Sequence, residues 1–225
     1  VTLSELLELP VPELPEVHTI ACGLQERIAD MYIRDVDLRW PGCVAEDARS
    51  FAKKLKGQQI VSVGRRGKLL KLHIGQALIL AVHLKMTGRL FAPESGVEPD
   101  KHTHAVFILG PHPDTGDTFP LFYKDTRKFG YLKLLAEQEL DSWPFYSSLG
   151  PEPLEISRQG FVQLFNNRTA RIKGLLLNQQ FIAGIGNIYA DESLFRAGIR
   201  PDAHVDRISR AKLEKLHDAL QEVLA

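Results

Sequence analysis

The sequence predicts an α+β fold in which a β-rich first half is followed by a helical second half. Short runs rich in β-branched and aromatic residues recur through the first half, bounded by Gly, Pro and charged turns. After Ser148 this signal gives way to apolar residues spaced by three and four positions, the periodicity of helices. We therefore expect a β-sandwich-like domain flanked by helices over residues 12–140, a hinge over 141–150 and a helical domain over 151–225.

One helix precedes the strands of the first half. Pro15 fits the first turn of a helix, and apolar residues follow it on a single helical face: Val17, Ile20, Ala21, Leu24 and Ile28. The strand-like runs come next, at residues 60–63, 69–74, 78–84, 105–109, 121–123 and 131–135. The composition of residues 93–100 and 110–118 predicts loops.

Four helices are expected in the second half. The first two are indicated by residues at helical spacing, namely Phe161, Leu164 and Phe165, then Ile172, Leu175, Leu176 and Gln179. The third covers residues 187–197 and ends before Gly198 and Pro201, the usual order of C-cap glycine and proline. Ser209 is a good N-cap for the last helix, whose inner face is formed by Leu213, Leu216, Leu220 and Val223.

The composition is that of an ordinary globular protein. Of the 225 residues, 44% are hydrophobic and 25% are charged. The apolar runs are too short to span a bilayer, and residues 1–10 lack the basic start of a secretory signal; we therefore expect a cytoplasmic protein. Cys22 and Cys43 are too few for a disulfide framework or a four-cysteine zinc site. We expect both to be buried as small apolar residues.

The charges of the chain cancel, because 28 basic residues face 28 acidic ones. This balance argues against a protein that binds nucleic acid through its overall charge. Local phosphate contacts matter more for affinity than the total. A local basic set does stand out, consisting of Arg65, Arg66, Lys68, Arg127, Lys128, Arg168, Arg171 and Lys173.

The segment PELPEV at residues 12–17 resembles the N-terminus of the formamidopyrimidine-DNA glycosylases. In that family an N-terminal proline attacks the sugar carbon that bears a damaged base. The resulting iminium makes the neighbouring sugar proton acidic, so that the phosphate can leave. The resemblance implies Pro12 as the nucleophile, Glu13 as the acid that helps to open the sugar, and Glu16 as a residue that positions them. Judged alone, the segment also fits a plain helix N-terminus.

This chemistry requires Pro12 to be the first residue, because the nitrogen of an internal proline is an amide. We expect residues 1–11 to be an extension absent from the mature enzyme, with translation starting at Val11 from a GTG codon and the methionine then removed. The four-cysteine zinc finger that usually ends this family is not found up to Ala225. No metal site is therefore expected in this chain, and one zinc ion is expected only if the full-length protein has that finger.

Two further motifs match the family at the strands. RRGK at residues 65–68 implies Lys68 as an active-site lysine that assists the elimination. HLKMTGRL at residues 83–90, expected to be a strand that turns at Gly88, implies Met86 as a side chain that enters the duplex. A solvated basic turn and a core methionine remain the structural alternatives.

KHTH at residues 101–104 and DTRKFG at residues 125–130 complete the β-rich half. The resemblance implies that His102 contacts DNA, that Arg127 fills the hole opposite the lesion, and that Phe129 stacks beside it. The expected intercalating residues are thus Met86, Arg127 and Phe129.

Each of these two motifs has an alternative interpretation. His102 and His104 alternate, so that on a strand both would share a face, and a metal pair is conceivable although no further ligand is nearby. DTRKFG also fits a β-turn on a hairpin.

FIAGIGNIYADE at residues 181–192 resembles the helix-two-turn-helix of the same family. Its glycines would let backbone N–H groups approach a phosphate, and the helix N-terminus that follows favours an anion. Asn187 caps that helix or binds phosphate with its amide. Arg168 and Lys173 match basic residues that contact DNA, and LGPEPL at residues 149–154 matches the family hinge.

Together the motifs predict a monomeric bacterial enzyme of base excision repair that binds damaged double-stranded DNA and no membrane. It would remove oxidised purines through a Schiff base on Pro12 and cleave the strand by β-elimination, as a glycosylase and abasic-site lyase. Leu14 favours this branch over endonuclease VIII, which usually has Gly there. The alternatives are an endonuclease VIII-like enzyme for oxidised pyrimidines, a DNA-binding relative without catalysis, or a chain without a stable fold.

Overall fold

The computed structural model describes residues 11–225, which form two compact units. The first unit contains Pro12 and Glu16–Trp143, and the second contains Glu13–Pro15 and Pro144–Ala225. Apart from Val11, the predicted N-terminal extension lies outside the described residues. Within residues 11–225, no helix is both long enough and apolar enough to cross a membrane.

The described part of the first unit contains two antiparallel sheets of four strands each, as the sequence predicts. Its strands are β1 (Tyr32–Leu38), β2 (Ile60–Arg66), β3 (Leu69–Ile74), β4 (Leu78–His83), β5 (Gly88–Phe91), β6 (Thr103–Gly110), β7 (Phe119–Asp125) and β8 (Tyr131–Ala136). The first sheet has the order β1-β6-β7-β5, and the second has the order β2-β3-β4-β8. The six strand-like runs of the sequence are confirmed, whereas β1 was not predicted. The strand expected over residues 83–90 with a turn at Gly88 is wrong, because residues 84–87 form the turn and Gly88 begins β5.

The two sheets share one apolar core, which two helices complete. Helix α1 (Leu14–Ile28) buries Val17, Ala21, Leu24 and Ile28 in this core, and helix α2 (Ala48–Leu55) adds Phe51 and Leu55. Cys43 is buried there as expected. The same expectation is wrong for Cys22, which is exposed because it lies on the outer face of α1.

Two loops pass from one sheet to the other at the same end of the sandwich. Residues 84–87 lead from β4 in the second sheet to β5 in the first, and residues 126–130 lead from β7 back to β8. They lie side by side because β4 pairs with β8 at His83 and Tyr131, while β5 pairs with β7 at Gly88 and Asp125. The hairpin alternative for DTRKFG is therefore wrong, since the strands on either side belong to different sheets.

The second unit is helical. Its helices are α3 (Pro144–Ser147), α4 (Arg158–Gln163), α5 (Ile172–Leu177), α6 (Asn187–Ala197) and α7 (Arg210–Leu224). The predicted ends of α6 and α7 are confirmed: Gly198 follows α6 in the left-handed region at φ 65°, and the Ser209 side chain accepts the Lys212 N–H. On the inner face of α7, Leu224 is buried and Val223 only half-buried.

Candidate functional site

A cavity of about 310 Å³ in the first unit collects three of the predicted site residues, Pro12, Met86 and His102. Its remaining lining residues are Ile20, Thr87, Gly88, Arg89, Lys124 and Thr126. In the described part of the chain, none of the lining residues carries a carboxylate. The cavity is therefore lined by cations, hydroxyls and apolar groups around Pro12.

Asp100 anchors one side of this cavity. Its Oδ1 atom accepts hydrogen bonds from the His102 backbone N–H at 2.9 Å and from the Thr103 hydroxyl at 3.1 Å. Its Oδ2 atom lies 2.5 Å from the Lys124 ammonium. That contact is the main reason why the pKa of Asp100 is lowered to about 2. The sequence reasoning missed both Asp100 and Lys124.

His102 and His104 do not form the pair on one strand face that the sequence allowed, because His102 lies just before β6 and only His104 is on the strand. The pairing of β6 with β7 shifts register between Thr103 and Ala105, which interrupts the alternation at His104. His104 is buried, with its Nε2 atom 2.6 Å from the Asp125 carbonyl oxygen and its ring 4.9 Å from that of Trp40. His102, by contrast, lines the cavity.

The buried carboxylate of Asp125 ties the two loops together. It accepts hydrogen bonds from the Thr87 hydroxyl, from the Arg127 N–H at 3.1 Å and from the Gly130 N–H at 2.8 Å. The Thr87 hydroxyl in turn accepts a second bond from the Arg127 N–H at 3.1 Å. Gly130 has no room for a side chain, because a Cβ atom there would lie 2.7 Å from the His83 carbonyl oxygen. An aspartate that opens a turn was the available sequence signal for this role.

The three predicted intercalating side chains form one exposed group on these loops. The Arg127 guanidinium carbon lies 4.7 Å from the centre of the Phe129 ring, and Arg127 Nη1 lies 3.1 Å from the sulfur of Met86. Phe129 is 53% exposed and Met86 is 40% exposed. Isolated apolar side chains are common on surfaces, but these two share a rigid pair of loops with an arginine between them. Met86 is accordingly not a core residue.

Lys68 occupies the tight turn between β2 and β3. Gly67 precedes it with φ 55°, which a two-residue hairpin of the primed type requires at its first central position. Burial lowers the pKa of His83 from 6.5 to about 3, and the nearby charges of Lys85 and Lys68 act in the same direction. His83 accepts the Lys85 N–H at its Nδ1 atom, so its neutral ring has a structural role in this loop.

In the second unit, the carboxylate of Glu13 occupies the N-terminus of α6. It accepts backbone N–H groups from Gly186 at 2.7 Å, from Ile188 at 3.0 Å and from Tyr189 at 3.4 Å. A Cβ atom at Gly186 would collide with this carboxylate. The helix N-terminus thus binds an anion as expected, but that anion is the Glu13 carboxylate. The expectation that these N–H groups bind a phosphate is therefore wrong.

The N-cap of α6 is Gly186, so the expectation that Asn187 caps the helix is wrong. Asn187 is the first helical residue and its side chain is exposed. The preceding Gly184 has φ 87°, and a Cβ atom there would lie 2.6 Å from a methyl group of Leu14. Each glycine of the motif therefore makes room for one residue of Glu13–Leu14.

Gln179 holds the loop before α6, a role that the sequence reasoning missed. Its Nε2 atom donates to the carbonyl oxygens of Leu177 at 3.0 Å and Ile185 at 2.9 Å, and its Oε1 atom accepts the Gly184 N–H at 2.8 Å. Gln179 follows the end of α5 and is not part of that helix. A side-chain amide that satisfies three backbone groups fixes the shape of this loop.

The other predicted residues lie at several places on the two units. Arg168 is exposed, donates to the Leu164 carbonyl oxygen at 2.9 Å, and stacks over the ring of Phe181 at 5.0 Å. Lys173 pairs with Asp191 at 2.8 Å. Glu16 is half-buried in the first turn of α1.

Family models match almost the whole described chain. The Formamidopyrimidine-DNA glycosylase N-terminal domain matches residues 11–132, and the Formamidopyrimidine-DNA glycosylase H2TH domain matches residues 149–225. The chain belongs to the formamidopyrimidine-DNA glycosylase family. Among residues 11–225 there is no group of three or more His, Cys, Asp or Glu side chains that could hold a metal ion.

Individual family members are similar to this chain over nearly its full length and over about three quarters of their own. The formamidopyrimidine-DNA glycosylase of Heliobacterium modesticaldum is 42% identical over 220 residues, covering 95% of this chain and 77% of its own. That of Desulfitobacterium hafniense is 40% identical over 217 residues, with the same coverage. Among solved structures, the complex of Lactococcus lactis Fpg with DNA that contains an oxidised pyrimidine matches with a TM-score of 0.87 and 32% sequence identity. The match covers 95% of this chain and 78% of the Lactococcus lactis chain. Another complex of that enzyme contains Fapy-dG in its DNA.

Proposed function

We propose that this protein is a DNA glycosylase that removes oxidised purines, including 8-oxoguanine and formamidopyrimidines, from double-stranded DNA. The observation that carries the proposal is the place of Pro12 in a cavity with His102 and Lys124, beside the exposed group of Met86, Arg127 and Phe129. Membership of the formamidopyrimidine-DNA glycosylase family supports it. The bacterial relatives support a place of action in the bacterial cytoplasm.

Base removal begins with attack of the Pro12 nitrogen on the sugar carbon that bears the damaged base. The nitrogen lone pair forms the new bond, and the base departs with the electrons of the glycosidic bond and takes up a proton. This step requires a free secondary amine at Pro12, so we propose that the active chain begins at Pro12. The start of the family match at residue 11 supports this start site.

Strand cleavage follows from the iminium formed on Pro12. The cation withdraws electrons, so the adjacent sugar carbon loses a proton, a double bond forms, and the 3′ phosphate leaves with its bonding electrons. The iminium itself forms when the Pro12 nitrogen loses its proton and the bond between the sugar carbon and the ring oxygen breaks. We propose that Glu13 protonates that ring oxygen and that Lys68 assists the later elimination. Glu16 would position these groups. The three N–H bonds at α6 fix the position of the carboxyl group of the residue that follows Pro12.

DNA binding is assigned to side chains on both units. Met86, Arg127 and Phe129 would fill the space that an extruded nucleotide leaves in the duplex. Their rigid attachment through Asp125 supports this role, since a wedge must keep its shape while it separates stacked bases. His102, Arg168, Lys173 and Asn187 are the proposed contacts to the strand backbone.

The proposal is tested by single-turnover excision on matched duplexes that contain 8-oxoguanine, a formamidopyrimidine, an oxidised pyrimidine or no lesion. The chain that begins at Pro12 is expected to release both oxidised purines faster than the oxidised pyrimidine, and to leave the undamaged duplex intact. The opposite order of rates would support the endonuclease VIII-like alternative. Binding of lesion duplexes without release of any base would support the non-catalytic alternative.

A further inference from the structure

The wall of the Pro12 cavity carries positive charge that the sequence motifs did not account for. Two cations, Arg89 and Lys124, line the cavity together with His102. Arg89 and Lys124 are direct cross-strand neighbours of β5 and β7, so their side chains leave the sheet on one face. None of the described residues that line the cavity carries a carboxylate, and Asp100, which pairs with Lys124, is not among them. Such a wall attracts an anionic ligand.

Lys124 is also held in place. Its ammonium lies 2.5 Å from Asp100 Oδ2, and its side chain is only 29% exposed. The same carboxylate accepts the His102 backbone N–H, so Asp100 fixes two cavity-lining residues at once. An ammonium carries three N–H donors, and a single carboxylate oxygen takes one of them.

We propose that Lys124, positioned by Asp100, binds a phosphate oxygen of the damaged strand within the cavity that Pro12 lines. A compact ammonium suits a phosphate oxygen as a point charge. Arg89, the cross-strand neighbour of Lys124, adds a second positive charge, which matters because Asp100 offsets that of Lys124. This assignment rests on the proposed function, because it takes the damaged strand as the ligand. Lys124 is a binding residue, and Asp100 is a positioning residue that acts through it.

The salt dependence of DNA binding tests the proposal directly. Each phosphate contact contributes about 0.9 to the slope of log affinity against log salt. With a duplex that contains a tetrahydrofuran abasic analogue as the probe, Lys124→Gln is expected to lower the steepness by about that amount. When the salt concentration rises from 50 to 200 mM, the fold-loss of affinity is therefore expected to be about 3 to 4 times smaller for the variant than for the unsubstituted protein.

A matched control is available in the same unit. Lys56 also pairs with an aspartate, Asp35, at 3.1 Å, but it does not line the cavity. Lys56→Gln is expected to leave the slope unchanged, and Lys124→Arg, which keeps the charge, is expected to retain it. An unchanged slope in Lys124→Gln would overturn the proposal. An equal fall in Lys56→Gln, or a fall in Lys124→Arg as large as that in Lys124→Gln, would also overturn it.

A double-mutant cycle tests the role of Asp100. Asp100→Asn is expected to slow single-turnover excision in the unsubstituted protein and to have no further effect in the Lys124→Gln background. Equal slowing in both backgrounds would reject positioning through Lys124. Borohydride trapping of the unsubstituted protein reports separately on the proposed function: normal trapping with an unchanged slope rejects only the Lys124 assignment, whereas absent trapping rejects the reaction itself.

Discussion

The side chain of Glu13 caps a helix and also belongs to the residue that follows the proposed nucleophile. Its carboxylate caps α6 through three backbone N–H groups, which satisfies donors that a helix start otherwise leaves without partners. The same bonds hold the carboxyl group of the residue next to the proposed nucleophile. Gly186 is required for this arrangement, since any side chain there would displace the carboxylate. The binding of an anion by the motif was predictable, but a partner 173 residues away in the sequence was not.

His83 makes the stability of the protein depend on pH in a defined window. Its pKa is lowered to about 3 in the folded protein by burial and by the charges of Lys85 and Lys68, so the unfolded chain binds the proton more readily. The contribution is therefore complete above pH 6.5 and is lost as the pH falls towards 3. Between pH 7.5 and 4.5 it amounts to about 2–3 kcal/mol of unfolding free energy.

Urea unfolding at several pH values measures this effect. His83→Gln is expected to flatten the fall in unfolding free energy between pH 6.5 and 4.5, while His18→Gln, at an exposed position of α1, leaves it unchanged. A His83→Gln protein with the same pH dependence as the unsubstituted one would show that His83 does not carry it.

The loops formed by residues 84–87 and 126–130 act as one element, because Asp125 and Thr87 connect them by hydrogen bonds. Thr87→Val keeps the shape of the side chain and removes the shared hydroxyl. We expect binding to a lesion duplex to weaken by about 5- to 10-fold, which corresponds to the 1–1.5 kcal/mol of one hydrogen bond. Affinity for undamaged DNA is expected to stay the same, since it depends mainly on phosphate contacts.

Thr118→Val, in the exposed loop before β7, is the matched control. It is expected to retain the preference for lesion DNA. An unchanged preference in Thr87→Val, measured by competition between lesion and undamaged duplexes, would mean that the loops keep their geometry without this hydroxyl.

The elements themselves were largely predictable, because their signals are local. Short runs rich in β-branched and aromatic residues indicated the strands, and Gly198 and Ser209 marked helix ends. The assignment of β7 and β8 to different sheets was not predictable, since a loop such as residues 126–130 has the same composition whether it closes a hairpin or changes sheets. For the site, Pro12, Met86 and His102 were found from motifs. Asp100 and Lys124 were missed, because their role depends on pairing between strands that are far apart in sequence.

At the scale of the whole molecule, the short segment Glu13–Pro15 belongs to the second unit, although the residues on either side of it belong to the first. Leu14 is fully buried in the helical core with residues such as Phe181 and Leu194, whereas Val17, three residues later, lies in the core of the β-sandwich. Motifs at opposite ends of the sequence are therefore parts of one folded unit. The formal net charge of zero likewise hides a local distribution, in which cations line the Pro12 cavity.

Hydrogen exchange of two variants, Leu14→Ala and Val17→Ala, tests whether these neighbouring residues belong to different units. Leu14→Ala is expected to cost about 2–5 kcal/mol and to reduce protection at the amides of α6. Val17→Ala is expected to reduce protection in β3 and β4 instead. Loss of protection in the same segments for both variants would contradict the assignment of Glu13–Pro15 to the second unit.

The central claim is that the Pro12 nitrogen forms a covalent bond with damaged DNA. Borohydride trapping on a duplex that contains 8-oxoguanine tests it, with chains that begin at Pro12 or one residue earlier at Val11. Only the chain that begins at Pro12 is predicted to give a reduced adduct, and peptide mapping is predicted to place that adduct on Pro12. Equal trapping in both chains, an adduct on another residue, or no adduct in either chain would contradict the account.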